Sequence, residues 1–273
     1  IGKTRVLAAA GHDILQPLNA ARLYSSTLVE RLGNSPDQKL VQNIDSSLES
    51  VEAILGAVLD ISRLDTGAMK PQLASFPLND LLQRVVTDFV PVAREKNLKF
   101  TVMPTSVHVR SDPNLLRRLI QNLISNAIKY TREGRVLVGV RRRGDKVLIQ
   151  VIDTGIGIPS TKFRTVFREF ARLEEGARTA SGLGLGLSIV DRIARVLKHS
   201  VDIASVSGKG TEFRVELPIE TNISRIKAQP PRKSADAANT NLKGLRVLCV
   251  DNEPKILEGM KLLLSGWGCT VLA

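Results

Sequence analysis

Apolar and small residues in the first quarter of the chain recur at alternating intervals of three and four, the spacing of helices that pack along a seam. This pattern predicts one helix over residues 4–32 and a second that ends near 64–67. Between them, Ser35 is placed to cap the second helix and Pro36 to begin it, so a tight reversal is expected. Because a lone hairpin cannot bury both seams, we expect two chains to associate as a homodimeric four-helix bundle.

Helical and strand periodicity alternate in the middle of the chain. Helices are predicted at residues 78–96, 112–131 and 186–197, and strands at 98–103, 107–110, 135–142, 146–153, 200–205 and 210–216. The glycine-containing stretches 143–145 and 207–210 are typical of hairpin turns, so the strands are expected to pair mainly antiparallel. The expected fold class is α+β multidomain, with an antiparallel helical hairpin followed by an α/β sandwich.

The C-terminal part of the chain has a different pattern. Residues 219–243 have little apolar periodicity and include Pro230-Pro231, as is typical of a linker. Residues 245–250 then form an apolar run typical of a buried strand, followed by a predicted helix at 254–264 and a strand that starts at Cys269. This last part is too short to fold alone. Four regions are therefore predicted: 1–68, the α/β domain 69–218, the linker 219–243 and a truncated domain 244–273.

Composition narrows the classes of partner. The chain has 39 Lys and Arg against 27 Asp and Glu, and its formal net charge of +12 favours anionic partners such as nucleotides and acidic proteins. Aromatic residues make up only 4% and no basic stretch is interleaved with them, so nucleic acid is not an expected partner. Cys249 and Cys269 are too few for a disulfide framework, which indicates a reducing, cytoplasmic setting.

The two ends of the chain indicate a fragment of a longer protein. The sequence starts with Ile1-Gly2-Lys3 inside an apparent helix and stops inside an apparent strand. No apolar run is long enough for a membrane span, so no membrane contact is expected within this fragment. Any sensor or membrane tether would lie upstream.

Polar residues form one face of the predicted helix 112–131. Asn122, Asn126 and Lys129 are spaced four and three apart, with Tyr130 beside them. Apolar residues occupy the opposite side of the helix, namely Leu116, Leu119, Ile120 and Leu123. The polar face could bind a ligand, or it could be a solvated stripe on an amphipathic helix.

Two glycine-rich segments follow that helix. Asp153 stands at a strand end before Gly155 and Gly157, and glycines there would let a flat ligand approach the backbone closely. Further on, Gly182-Leu183-Gly184-Leu185-Gly186-Leu187-Ser188 opens a helix, so backbone N–H groups can meet phosphate oxygens. A tightly packed turn is the alternative. The residues between are rich in Lys and Arg, as expected of a cationic lid, and Arg178 is the best candidate for a phosphate contact.

In this order, the three segments resemble the N, G1 and G2 boxes of the histidine-kinase ATPase domain, which gyrase B, MutL and the heat-shock 90 chaperones share in outline. The resemblance covers about residues 112–218 and includes Phe167 and Phe170, which are similar to the family's F box. It implies a sandwich of the GHKL ATPase type that binds ATP and Mg²⁺. By the resemblance, Asn126 would be the metal ligand and Asp153 would accept a hydrogen bond from the adenine amine, so that ATP is preferred over GTP.

The same resemblance assigns the other nucleotide contacts. Lys129 would pair with phosphate, Tyr130 would lie against the adenine, and Thr211 would support the base through water. The remaining residues of the implied site come from the helix face, the lid and the glycine loops, and they are Asn122, Gly155, Gly157, Arg178, Gly182, Gly184, Gly186 and Leu187.

On the first helix, His12 recurs with Gln16 and Asn19 off the apolar seam, so the imidazole should be exposed. An exposed histidine by itself indicates little, but Pro17 removes a helical hydrogen bond to the carbonyl of Asp13 and should bend the helix beside it. Residues 11–18 resemble the H box of the histidine-kinase dimerisation domain, with His12 in the phosphorylated position. The resemblance makes region 1–68 the dimerisation and phosphoacceptor domain.

Together the two resemblances imply an autophosphorylating protein-histidine kinase of a two-component system, which relays phosphate from His12 to a response-regulator Asp. Asp13 would take the proton of the second imidazole nitrogen. Gln16 stands where many relatives carry Thr or Asn to orient a water for dephosphorylation, and its longer side chain changes that reach. The alternatives are an ATPase that drives clamp closure, as in gyrase B or MutL, and a non-catalytic dimerising scaffold.

The last residues, 245–273, resemble the start of a flavodoxin-like response-regulator receiver, which implies a hybrid kinase. Asp251 matches one residue of that family's acidic Mg²⁺ pair, whereas Asn252 replaces the second carboxylate. The phosphoaccepting Asp would lie beyond Ala273. A receiver domain, on the same protein or a separate one, is therefore the expected phosphate acceptor.

Overall fold

The computed structural model describes residues 2–32, 35, 37–67, 69–171, 184–220, 242–251 and 253–272, with the backbone alone for 2–15 and 30. The chain divides into two compact units, Arg63–Ala228 and a second unit that combines Ile1–Ser62 with Gln229–Ala273. Among the described helices, none has an apolar stretch that could cross a membrane.

Two long helices dominate the unit that contains the chain's first residues. Helix α1 spans Gly2–Leu32 and α2 spans Gln38–Asp65, as the three-four periodicity predicts. An ion pair between Arg22 and Glu52 joins the helices, and the Ser25 hydroxyl donates to the carbonyl of Val41 at 3.4 Å. Apolar side chains stay exposed along the helices of this single chain, namely Leu28, Leu40, Ile44 and Val51.

The C-terminal residues add a small β-α-β element to the same unit. Strands β8 (Arg246–Leu248) and β9 (Thr270–Leu272) pair in parallel, with helix α6 (Pro254–Gly266) between them in sequence. Helix α6 packs against α1 where Gly259 meets the side chain of Leu23. The predicted strand is confirmed, but its predicted burial is wrong, since Leu248 is 71% and Val250 85% exposed. Two strands and one helix cannot cover both faces of this sheet.

The unit Arg63–Ala228 is an α/β sandwich. Its helices are α3 (Leu78–Glu95), α4 (Pro113–Tyr130) and α5 (Gly186–Leu197), with a single 3-10 turn at Ser160–Lys162. Its strands are β1 (Ala74–Pro77), β2 (Lys99–Val102), β3 (His108–Ser111), β4 (Arg135–Arg143), β5 (Lys146–Asp153), β6 (Ser200–Val206) and β7 (Gly210–Pro218). The main sheet has the order β2-β4-β5-β7-β6.

Strand pairing in this sandwich is mainly antiparallel, as predicted, and only β2 pairs with β4 in parallel. Strand β1 was not predicted; it pairs antiparallel with β3 in a separate two-stranded sheet. Four residues that end in a proline carry too little periodicity to predict a strand.

The core lies between the helices and the main sheet. On α4, the four apolar residues predicted to face the core are all fully buried. The Asp112 carboxylate fixes the start of this helix, since its Oδ1 accepts from the N–H groups of Asn114 and Leu115 at 2.9 and 3.0 Å. Pro113 follows as the first helical residue. The polar face of α4 is thereby held in a fixed orientation opposite the core.

Candidate functional site

One end of the candidate site is formed by two neighbouring strands. Inward-facing residues alternate with outward-facing ones on β5 and β7, and the inward series ends in Asp153 on β5 and begins with Thr211 on β7. The two residues are direct cross-strand partners in the antiparallel register. Both side chains are buried. Strand periodicity and register therefore bring together two residues that are 58 positions apart in sequence.

The Asp153 carboxylate is held by two backbone N–H groups. Its Oδ1 accepts from Gly155 at 2.8 Å and from Thr211 at 3.2 Å. Both bonds fall on the same oxygen, so Oδ2 keeps its acceptor capacity for a ligand amine. Burial raises the pKa of Asp153 to about 6, and the two hydrogen bonds, which favour the charged form, only partly oppose it. The site thus offers an acceptor that changes charge near neutral pH.

Ser205, which the sequence did not single out, orients the hydroxyl of Thr211. The Ser205 hydroxyl donates to the carbonyl of Gly210 at 2.8 Å, and its oxygen accepts from the N–H of Ile158, also at 2.8 Å. Because Ser205 has only one hydroxyl proton, Thr211 must be the donor in their 3.0 Å contact. The lone pairs of Thr211 are then available as acceptors. Only the pairing of β6 with β7 brings Ser205 and Thr211 opposite each other.

The glycines of this end allow close packing of the protein backbone itself. A Cβ at Gly155 would lie 2.5 Å from the carbonyl oxygen of Tyr130, and one at Gly157 would lie 2.1 Å from that of Val206. Gly157 also has a φ of +70°, a conformation that side chains rarely adopt. These positions require glycine for the fold whether or not a ligand approaches them.

The other end of the candidate site lies where α4 meets the start of α5. A Cβ at Gly186 would lie 3.2 Å from Asn122 Oδ1 and 3.5 Å from Asn126 Nδ2, so the polar face of α4 reaches the first residue of α5. Among the described residues, no side chain caps the N-terminus of α5, whose N-cap residue is Leu185. The first N–H groups of the helix, near Leu187, are therefore candidates for binding phosphate oxygens.

The backbone just before α5 is closely packed too. Gly184 has a φ of +73°, and a Cβ there would lie 2.6 Å from the carbonyl oxygen of Ala171. On α4, the ammonium of Lys129 lies 5.3 Å from the ring centroid of Tyr130. The predicted face of Asn122, Asn126, Lys129 and Tyr130 is half-buried as a whole. The amide side chains of Asn122 and Asn126 thus meet the helix N-terminus at this end.

A metal ion at this end of the candidate site would have few protein ligands. In the described part of the chain, no three His, Cys, Asp or Glu side chains cluster as a metal site. The side-chain oxygen of Asn126, beside a helix N-terminus suited to phosphate, fits Mg²⁺, which prefers oxygen ligands and is usually shared with substrate phosphates. The donor set is unsuited to a tightly held structural ion.

Several predicted site residues lie outside the described residues. They are Arg178 and Gly182, together with the side chains of His12 and Asp13, whose backbone belongs to α1. Gln16 is half-buried on the same helix, and Pro17 is exposed and lies within the continuous α1. The roles predicted for these residues remain predictions.

Of the two F-box residues, Phe167 packs edge-to-face on Phe213 with centroids 6.4 Å apart. Phe170 is exposed and has a φ of +57°, which is uncommon for an aromatic residue. Phe167 is thus half-buried against the core residue Phe213, whereas Phe170 is exposed.

Two protein-family models match the chain. Residues 2–67 match the His Kinase A (phospho-acceptor) domain, and residues 111–221 match the histidine kinase-, DNA gyrase B-, and HSP90-like ATPase. The chain carries the phospho-acceptor and ATPase domains of a histidine kinase. Asp153, Thr211 and the polar face of α4 all fall within the match to the ATPase model.

Curated sensor proteins resemble the chain over nearly its whole length. It is 33% identical to the autoinducer 2 sensor kinase/phosphatase LuxQ of Vibrio cholerae, over 92% of this chain and 30% of that protein. It is 30% identical to the virulence sensor protein BvgS of Bordetella bronchiseptica, over 99% of this chain and 23% of that protein. The chain thus spans less than a third of the length of these curated relatives.

A solved structure supports the same assignment. The crystal structure of full-length ShkA in complex with AMPPNP matches with a TM-score of 0.67 and 25% identity, over 98% of this chain and 55% of that one. The helical hairpin and the GHKL-type sandwich therefore have the fold of a histidine kinase core.

Proposed function

We propose that this chain is the catalytic core of a sensor histidine kinase, which binds MgATP and transfers the γ-phosphate to His12. The observations that carry the proposal are the pairing of Asp153 with Thr211 and a helix N-terminus whose first residue, Gly186, lies next to Asn126. Asp153 and Thr211 suit the adenine amine, and the helix N-terminus with Asn126 suits phosphates and Mg²⁺. ATP as the substrate implies that this part of the protein works in the cytoplasm.

In the proposed reaction, the unprotonated imidazole nitrogen of His12 forms a bond to the γ-phosphorus. The bond from that phosphorus to the β,γ-bridging oxygen breaks, and ADP leaves with the electron pair. The proton on the other ring nitrogen passes to Asp13. Mg²⁺, held by the Asn126 oxygen and the phosphates, would neutralise the charge on the leaving group. Lys129 and Arg178 would add positive charge at the same end.

We further propose that the helices α1 and α2 form a homodimer. The exposed apolar side chains of Leu28, Leu40, Ile44 and Val51 support it, because a second hairpin would remove them from water. Region 1–68 would then be the phosphoacceptor domain and 69–218 the ATPase domain, joined through the linker 219–243 to region 244–273.

Region 244–273 we propose to be the start of a receiver domain, which makes the parent protein a hybrid kinase. The parallel pairing of β8 with β9 around α6 supports this, as does the position of Asp251 after β8. A receiver, on this chain or separate, would be the acceptor of the phosphate from His12.

Labelling with γ-labelled ATP and Mg²⁺ tests the kinase proposal. The chain should gain an acid-labile, alkali-stable phosphate, as a phosphorus–nitrogen bond requires. His12→Gln should abolish the label and keep ATP affinity. The chain has 3 histidines, and His108→Gln on β3 is the matched control that should still be labelled. Label that survives His12→Gln would overturn the phosphoacceptor assignment, and ATP hydrolysis without any label would favour a clamp ATPase.

A further inference from the structure

The guanidinium of Arg192 on α5 joins three separate segments of the ATPase unit. Its Nε donates to Asp65 Oδ1 at 2.8 Å and one Nη2 hydrogen is directed to Asp65 Oδ2 at 3.3 Å. Nη2 also contacts the carboxylate of Glu169, and Nη1 donates to the carbonyl of Ser188 at 3.2 Å. Every nitrogen of this one side chain is thus engaged, in the planar arrangement that only arginine offers.

The three partners occupy functionally distinct places. Asp65 is the last residue of α2, just before the turn at Gly67 where the chain leaves the phosphoacceptor hairpin for the ATPase domain. Glu169 lies two residues before Ala171, whose carbonyl oxygen lies beside Gly184. Ser188 is in the first turn of α5. Arg192 therefore connects the exit of α2, the segment in front of the phosphate end, and the helix that begins there.

The stability of the fold does not depend strongly on this cluster. The Arg192 side chain is 18% exposed, but those of Asp65 and Glu169 are 48% and 41% exposed, and ion pairs at such sites contribute little to unfolding free energy. A bidentate arginine–carboxylate pair does fix the relative orientation of the two side chains, because both N–H···O contacts must align at once. The cluster is thus better suited to orient segments than to hold the domain together.

We propose that Arg192 is a positioning residue for phosphoryl transfer, which aligns the end of α2 with the phosphate end of the nucleotide site. This inference rests on the kinase function proposed above. The hydrogen bonds of Arg192 go to Asp65, Glu169 and Ser188 and not to Asp153, Thr211 or Asn126, so the affinity for ATP should not depend on it. The rate of transfer does, because phosphorus and imidazole react only when the path from the hairpin to the ATPase domain brings them into line.

The test compares the rate of His12 labelling at saturating ATP with the dissociation constant for ATP. Arg192→Met should lower the labelling rate about 10- to 100-fold, the effect of a small misalignment of reacting groups. The ATP dissociation constant should stay within about twofold. Asp65→Asn, which keeps the shape and removes the charge, should lower the rate in the same way. Arg192→Lys should also have a low labelling rate, because lysine lacks the planar pair of donors.

Arg195 supplies the matched control on the same helix. Its side chain is 77% exposed and, within the described residues, forms an ion pair with Asp191 one turn away. Arg195→Met, which removes the same charge, should change neither rate nor affinity. A wild-type labelling rate in Arg192→Met would overturn the positioning role alone, and so would a loss of ATP affinity that matches the loss of rate. No label in the unsubstituted chain would overturn the kinase function itself, and the positioning role with it.

Discussion

The two ends of the proposed nucleotide site, one for adenine and one for phosphate, are built in different ways. At the adenine end, Asp153 and Thr211 are buried cross-strand partners whose polar atoms are tied to Gly155 and Ser205. At the phosphate end, Asn122 and Asn126 of α4 are half-buried and meet the start of α5 at Gly186. Strand register preforms the first end, whereas the second offers helix N–H groups and amide side chains to a charged ligand.

This difference suits the two parts of ATP. Adenine is flat and uncharged, so a rigid buried acceptor can select it by shape and by one hydrogen bond. Triphosphate is charged and has to move during the reaction, and we propose that it is bound by helix N–H groups and by Lys129, which is half-buried. Changes at the adenine end should therefore affect stability and base selectivity, and changes at the phosphate end should affect only phosphate-bearing ligands.

The largest effect is expected from Gly210→Ala at the adenine end. Gly210 has a φ of +118°, and a Cβ there would lie 2.0 Å from the carbonyl oxygen of Asp153. Backbone strain and the clash together should lower the free energy of unfolding by about 3 kcal/mol. Gly208→Ala in the same turn is the control, since φ is +78° but the space is open, and about 1 kcal/mol is expected. Equal losses in urea unfolding would contradict a tightly packed adenine end.

Asp153→Ala and Asn126→Ala should affect the binding of different ligands, because each substitution changes a different end of the site. Loss of the acceptor should weaken adenosine binding by about 2 kcal/mol, roughly 30-fold, with a loss of the preference for ATP over GTP. Asn126→Ala, at the other end, should leave adenosine affinity within about twofold and weaken MgADP binding about tenfold. Calorimetric titration of both ligands measures this. Weaker adenosine binding in Asn126→Ala would show that the two ends are coupled.

A smaller effect is expected from pH, again at the adenine end. Because burial raises the pKa of Asp153 from 3.8 to about 6, the carboxylate forms only as pH rises through that value. A charged acceptor binds the adenine amine more strongly, so adenosine affinity should rise about fivefold from pH 5 to pH 7. Adenosine has no phosphate to titrate in this range. Asp153→Asn should remove the pH dependence, and a flat profile in the unsubstituted chain would contradict it.

The same shift has the opposite sign for folding of the unliganded chain. The native state binds the Asp153 proton more tightly than the unfolded state, so this group makes the fold less stable as pH rises from about 4 to 6. His199 has the opposite effect on stability. Burial next to Ser111 lowers its pKa, so the unfolded state takes up a proton on His199 before the native state does, and the fold loses stability as pH falls.

Much of the fold follows from local pattern. The helices α1 to α5 and the strands of the main sheet lie where periodicity predicts them, within one or two residues at most ends. Strand β1 was missed because it is short, and the burial of Leu248 and Val250 was wrongly predicted because a hydrophobic run does not reveal whether anything covers it. The local sequence pattern thus predicted which secondary structure forms but not whether other residues cover it.

Sequence alone determined which chemical groups were available: Asp153 before two glycines, an amide face on α4, and a glycine-rich start to α5. Only the tertiary structure decided which of them meet. The hydroxyl direction of Thr211 depends on Ser205 across a strand pair, and Arg192 meets Asp65 from 127 residues away. Periodicity arises from neighbours within one turn or one pleat, whereas such contacts depend on register and packing, which no local pattern encodes.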